Sequence, residues 1–158
     1  MTKNKLLDEK VMNINIKAEN VDEALDSLSS LLQKEGYVKT SYINAIKERE
    51  KMFATGLPSE GVGVAIPHAS IEHVNSPIIA VGILDKPVSF RMMGNHDEII
   101  QVEIMFMLAL NEHHAQIEML QSLISLIQDK DLLLRIKNCE STKELISVLE
   151  NQLKEEIA

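Results

Sequence analysis

Two stretches of near-continuous apolar residues, "PIIAVGIL" (77–84) and "IIQVEIMFMLAL" (99–110), constrain the fold of this chain most. Neither carries the every-other-residue polarity of a strand with one wet face. A strand that is apolar on both sides must be covered on both sides, so these runs predict central strands between helical layers. The rest of the sequence supplies those layers. "VMNINIK" (11–17) alternates apolar and polar residues and predicts a half-buried strand. "NVDEALDSLSSLLQKEG" (20–36) predicts a helix capped by Asn20, with Ala24, Leu25, Leu28, Leu31 and Leu32 on its apolar face and Gly36 as its stop. "TSYINAIKEREKMF" (40–53) predicts a second helix, begun near Thr40 or Ser41 and ended before the Gly/Pro/Ser-rich loop "ATGLPSEGVG".

The final third is expected to be helical. Ile117, Leu120, Leu123, Ile124 and Ile127 recur at helical spacing in "HHAQIEMLQSLISLIQ". "KDLLLRIKNC" and "STKELISVLENQLKE" follow, the latter opened by a capping-box pattern of Ser141 and Glu144. Between the two apolar runs, "DKPVSFRMMGNHDE" (85–98) is expected to be connecting structure with an edge strand around "VSF". Strands interleaved with helices make a three-layer α/β domain, and 158 residues suffice for one such domain with its own core. No linker or repeat divides the chain, so a single domain is expected over 1–158.

Composition removes several classes of function. Aromatic residues are 3% and Trp is absent, which leaves almost no stacking platform for single-stranded nucleic acid. The net charge of −8, with no dense Lys/Arg stripe, argues against duplex binding. The N-terminal "MTKNKLLDEKVMNINIK" has no long apolar run of the signal-peptide kind, and no run reaches the roughly eighteen residues of a membrane span. A single cysteine, Cys139, excludes an internal disulfide and fits a reducing compartment. These features lead us to expect a cytoplasmic protein with no nucleic-acid partner and no membrane insertion.

Five histidines, His68, His73, His96, His113 and His114, match no HExxH or Cys/His zinc spacing. A GxSxG elbow and a phosphate-cradling GxxxxGK[ST] are both missing, so no metal, nucleotide or other cofactor is expected. His68 stands apart. In "EGVGVAIPHAS" (60–70) it follows an apolar strand-like run and a proline. Pro67 disfavours helix for Ile66 and keeps the strand extended up to the histidine. Small neighbours, Ala69 and Ser70, are expected to leave the imidazole accessible. An imidazole near neutral pH is a competent nucleophile and can carry a phosphoryl group.

"TGLPSEGVGVAIPHAS", preceded by "KEREKMF", resembles the IIA component of the bacterial sugar phosphotransferase system (PTS), in its fructose–mannitol superfamily. The resemblance runs over roughly residues 10–154, and "KPVSFRMMG" with "VEIMFMLAL" looks closest to the galactitol-type branch. It implies a mixed β-sheet with helices packed on both faces, and His68 at a strand end in a shallow depression. By the same resemblance His68 is the phosphorylated histidine, reacting through Nε2. Arg49 matches an arginine near the active site, where it would contact the phosphoryl group or a partner. The alternative for Arg49 is a surface arginine paired with Glu48 or Glu50. A supporting histidine is expected at the start of the helix after the last strand, as His114 or as His113.

The partners implied are the histidine phosphocarrier protein (HPr) as donor, a cysteine of a IIB component as acceptor, and a membrane IIC component in the same system. The function implied is uptake of a sugar or hexitol such as galactitol. The alternative is a regulatory protein whose phosphohistidine state controls a binding partner. "PSEGVG" is longer than the fructose-like turn and carries Glu60, which departs from the pattern beside His68. His73 and His96 receive no role and are expected in solvent.

Overall fold

In the computed structural model, which describes residues 6–157 with side chains through Leu153, the two apolar runs are the inner halves of one long antiparallel hairpin. Strand β4 spans Ile78–Met92 and strand β5 spans Asn95–Ala109, joined through Met93 and Gly94. The first five residues of the N-terminal segment read above lie outside the described residues. The edge strand expected around Val88, Ser89 and Phe90 is present, but the rest of 85–98, expected as connecting structure, is corrected: those residues extend the hairpin. Its ladder is interrupted between Ile83 and Val88, where Asp85, Lys86 and Pro87 bulge outward. Pro87 has no N–H to give a ladder, so the loop signal is absorbed as a bulge. Beyond it Val88 and Phe90 are buried while Ser89 and Arg91 are exposed, the alternation of a strand with one covered face.

Five further segments complete the sheet and its first layer. Strand β1 (Met12–Ile16) pairs in parallel with β4, Met12 opposite Val81. Helix α1 (Val21–Lys34) follows, with Asn20 accepting the Glu23 N–H at 2.9 Å as its cap. Gly36 ends the turn after it at φ +83°, a conformation that favours glycine. Helix α2 (Ser41–Met52) leads into the two-residue strand β2 (Gly56–Leu57) and then strand β3 (Gly63–Ala65). β2 and β3 are antiparallel to each other, and β3 runs parallel to β5, with Val64 opposite Ile104. The sheet is thus mixed and five-stranded.

Helices α3 (His113–Leu126), α4 (Lys130–Lys137) and α5 (Thr142–Ile157) close the other side. Each central strand divides its residues between two cores. Ile79, Val81, Ile83, Ile104, Phe106 and Leu108 pack with α3, α4 and α5 around Leu123, Leu133 and Leu149. Ile78, Ala80, Leu84, Met105, Met107 and Ala109 face α1 and α2 around Leu25, Leu28 and Ile46. Period-two alternation between two apolar layers is what a near-continuous apolar run encodes. Among the described residues no helix is long and apolar enough to cross a membrane.

Candidate functional site

β3 ends at Ala65, but the chain stays extended through Ile66 and Pro67 and remains attached to β5. The Leu108 N–H donates to the Pro67 carbonyl at 2.9 Å, and His68 forms an isolated parallel bridge with Leu108. Tyr42, fully buried in α2, donates its hydroxyl to the Leu108 carbonyl at 2.7 Å. Burial raises the Tyr42 pKa and keeps that hydroxyl a donor. α2 is thereby fastened to the sheet at the residue that faces His68.

The His68 ring is oriented by its own backbone. Nδ1 lies 3.0 Å from the Ile66 carbonyl oxygen. A carbonyl can only accept, so Nδ1 carries the proton and Nε2 keeps its lone pair. Burial lowers the pKa of His68; the bond to Ile66 opposes that shift, and the positive charge of Arg49 adds to it. The imidazole is therefore neutral near pH 7, with Nε2 as its nucleophilic atom. The accessibility expected from Ala69 and Ser70 is corrected: only 7% of His68 is exposed. Gln116 in α3 donates from Nε2 to the Ala69 carbonyl at 3.1 Å and draws α3 against the segment after the histidine.

Arg49 sits in the last turn of α2, close enough for its charge to be felt at His68. It is not paired with either neighbouring glutamate. Glu48 meets Lys51 at 3.6 Å, while Glu50 is turned inward to Thr55. The Arg49 guanidinium lies 5.1 Å from the centre of the Phe53 ring, a cation–π distance. Its Nε is buried and has no hydrogen-bond partner among the described residues. A buried, unspent N–H on a cation is suited to donate to an anionic oxygen.

His113 and His114 open α3, and both are exposed. His114 Nε2 is 2.9 Å from Glu118 Oε1, one turn along the helix. Among the described residues no hydrogen bond or ion pair joins either histidine to His68. The amides at the start of α3 are already occupied. Glu112 accepts from the His114 N–H at 3.0 Å and the Ala115 N–H at 2.8 Å, which lowers its pKa.

His96 lies in solvent as expected while His73 is half-buried, and each ring has a hydrogen-bond partner. His73 Nδ1 is 2.8 Å from the Ser41 hydroxyl, and His96 Nε2 donates to the Lys51 carbonyl at 2.8 Å. Among the described residues, no three His, Cys, Asp or Glu side chains group so as to hold a metal ion. In the loop before the strand, Ser59 donates to the Val62 carbonyl, Gly61 takes φ +81°, and Glu60 points outward as an exposed residue.

Three residues that build the site were not singled out in the sequence. Glu50 accepts from both the Thr55 N–H and hydroxyl, each at 2.8 Å, and Gln116 holds Ala69. Gln116 had a signal in the "HAQ" triplet. Glu50 and Thr55 had only their places beside Arg49 and before Gly56.

A buried, tautomer-fixed histidine at a strand end with an arginine beside it is the arrangement of a histidine that takes up an anionic group. Comparison with known proteins gives the class. Residues 5–152 match the family described as "Phosphoenolpyruvate-dependent sugar phosphotransferase system, EIIA 2", and the chain belongs to that family. It is 33% identical over 145 residues to the mannitol-specific EIICBA component of the PTS from Buchnera aphidicola, covering 90% of this chain and 22% of that protein. The chain thus spans about a fifth of the length of this relative. Among solved structures, the fold resembles a PTS IIA (PtxA) from Streptococcus mutans, with a TM-score of 0.77 and 23% identity over 92% of this chain and 90% of the other. It also resembles the Escherichia coli enzyme IIA for mannitol in its complex with phosphorylated enzyme IIB. There the TM-score is 0.70 at 24% identity, over 90% of this chain and 95% of the other.

Proposed function

We propose that this chain is the IIA phosphocarrier of a sugar PTS, forming one domain over residues 1–158 and carrying the phosphoryl group on His68 Nε2. The observation that carries the reading is the Nδ1 to Ile66 contact of 3.0 Å, which leaves Nε2 as the free lone pair of a neutral ring. The Nε2 lone pair attacks phosphorus on the phosphohistidine of HPr. The phosphorus–nitrogen bond of the donor breaks, and its electron pair returns to the donor imidazole. Phosphorylated His68 keeps its proton on Nδ1 and still donates it to the Ile66 carbonyl, so the positive ring is held in place. A thiolate of a IIB component then attacks the same phosphorus, and the electron pair of the broken bond returns to His68 Nε2. Atoms and charge balance without a metal or nucleotide.

Arg49 is placed to neutralise phosphoryl charge through its unpartnered Nε, which supports its assignment as the contact residue. His114 is proposed as the supporting donor, with His113 second. In that role His114 would exchange Glu118 for the phosphoryl group or the partner. The acceptor assignment is supported by the structural relative found with phosphorylated IIB. The sugar is proposed to be a hexitol delivered through a IIC component. The "KPVSFRMMG" segment favours galactitol, whereas the relative above is mannitol-specific.

The test is intact-protein mass spectrometry after incubation with phosphoenolpyruvate, enzyme I and HPr, on the wild type and His68→Ala side by side. One acid-labile phosphoryl group on the wild type and none on the variant is expected. A phosphoryl group that persists on His68→Ala would overturn the assignment. Uptake of labelled galactitol and mannitol in cells deleted for the chain then decides the sugar.

A further inference from the structure

A buried carboxyl two elements away from His68 in the chain is connected to its ring by an unbroken series of hydrogen bonds. Glu50, 7% exposed at the end of α2, grips Thr55 twice, through the N–H to Oε2 and the hydroxyl to Oε1. Thr55, 2% exposed, accepts the Ile66 N–H on its carbonyl at 3.2 Å. Ile66 accepts the His68 Nδ1–H on its own carbonyl. The N–H and the C=O of Ile66 thus have separate tasks. One registers the strand against Thr55, and the other sets which ring nitrogen keeps its proton.

We propose that Glu50 is a positioning residue for His68: by clamping Thr55 it holds the Ile66 carbonyl where it fixes the Nδ1–H tautomer and leaves Nε2 to react. The inference rests on the reading of His68 as the phosphoryl acceptor. Backbone pairing beside Thr55 is short. β2 has only two residues, which meet β3 at Gly56–Ala65 and Leu57–Val64 and β4 at Gly56–Met92. The Glu50 side chain adds two bonds to Thr55 itself, just before that short strand begins. A two-point grip also fixes the orientation of Thr55 as well as its distance, because both the amide and the hydroxyl must be met at once. Glu50 can hold that grip with or without a proton. Ionised, it accepts from both groups. Neutral, it still accepts the N–H on one oxygen while its own O–H donates to the Thr55 hydroxyl.

The same geometry predicts which substitutions are tolerated. Glutamine offers one carbonyl oxygen for the Thr55 N–H and an amide that donates to the hydroxyl, so Glu50→Gln reproduces the neutral clamp. Alanine removes both contacts. The test measures the His68 tautomer by nitrogen NMR on 15N-histidine-labelled protein, alongside the rate of phosphoryl uptake from phosphorylated HPr. Wild type and Glu50→Gln should show Nδ1 protonated and uptake within about twofold of each other. Glu50→Ala should show both tautomers and uptake slowed about tenfold, the scale of one or two hydrogen bonds lost.

A folded Glu50→Ala protein with the wild-type tautomer and wild-type uptake would overturn the proposal. So would Glu50→Gln behaving like alanine. Should Glu50→Ala not fold, Thr55→Val decides. It keeps the N–H and the shape but not the hydroxyl, and must shift the tautomer ratio for the proposal to stand. Because the tautomer is read without any donor, the positioning role and the acceptor role of His68 fail separately.

Discussion

At the scale of single residues, His68 and Glu50 titrate against the fold in opposite directions. Burial lowers the pKa of His68, so the unfolded chain takes a proton near pH 6.5 that the folded chain refuses. Stability is lost as pH falls below that value. Burial pushes Glu50 up to about 7, so the folded chain keeps a proton that the unfolded chain has released. Stability contributed by Glu50 is therefore greatest in acid and is lost as pH rises toward 7. The two windows overlap and offset each other. In urea titrations between pH 5 and 7, Glu50→Gln should become more stable with rising pH and His68→Gln less stable. Equal slopes in both variants would refute the assignment. His68 was legible in the sequence because "VAIPH" sets an extended backbone before a histidine. Glu50 was not, because "KEREK" has the composition of a solvated helix face, and its burial arises from the way the chain folds back at Thr55.

At the scale of elements, close approaches lie at Gly56, Gly63 and Gly82, and the last two differ in what surrounds them. A methyl group added at Gly63 would run into the backbone carbonyl of Gln101 in β5. One added at Gly82 would meet only the side-chain ends of Ile16 and Leu28. Side chains can rotate and a paired strand cannot. Gly63→Ala is expected to cost about 3 kcal/mol and Gly82→Ala about 1 kcal/mol, the two ends of the range for overpacking. Denaturant unfolding of both variants measures the difference, and Gly63→Ala should also disturb the uptake reaction because β3 delivers His68. The central strands and α1, α2 and the three C-terminal helices were readable from periodicity and caps. The outer arm of the hairpin was read only in part, as an edge strand around Val88, Ser89 and Phe90. Pro87 and Gly94 carry loop signals, and only the burial of Val88 and Phe90 against the α1–α2 core makes a strand of that stretch.

At the scale of the whole molecule, both faces of the sheet are covered and the net charge is −8. Under the proposed function, an acidic chain that receives a doubly negative group needs its local field to differ from its total charge. Arg49 supplies that local difference beside His68. The surrounding acidity is then free to attract a partner with a basic docking face. Raising ionic strength from about 0.05 M to about 0.5 M should slow phosphoryl uptake several-fold without abolishing it, because only long-range attraction is screened. Stopped-flow quench measurements across that range provide the check, and a rate indifferent to salt would remove steering from the account. Composition shows the charge but not its arrangement, so this level of organisation became readable only with the fold.

The bridge between His68 and Leu108 has a consequence for the order in which the protein comes into being. On the ribosome, β1, α1, α2 and the histidine strand all emerge before either arm of the long hairpin exists. β1 has no strand to pair with until Val81 appears, and His68 has no bridge to another strand until Leu108 does. The hairpin joins its arms through a tight turn and can close as soon as it is made, whereas the parallel pairings must recruit segments synthesised earlier. Translation thus releases His68 long before its setting, and a nascent chain halted short of β5 carries the histidine without its strand partner.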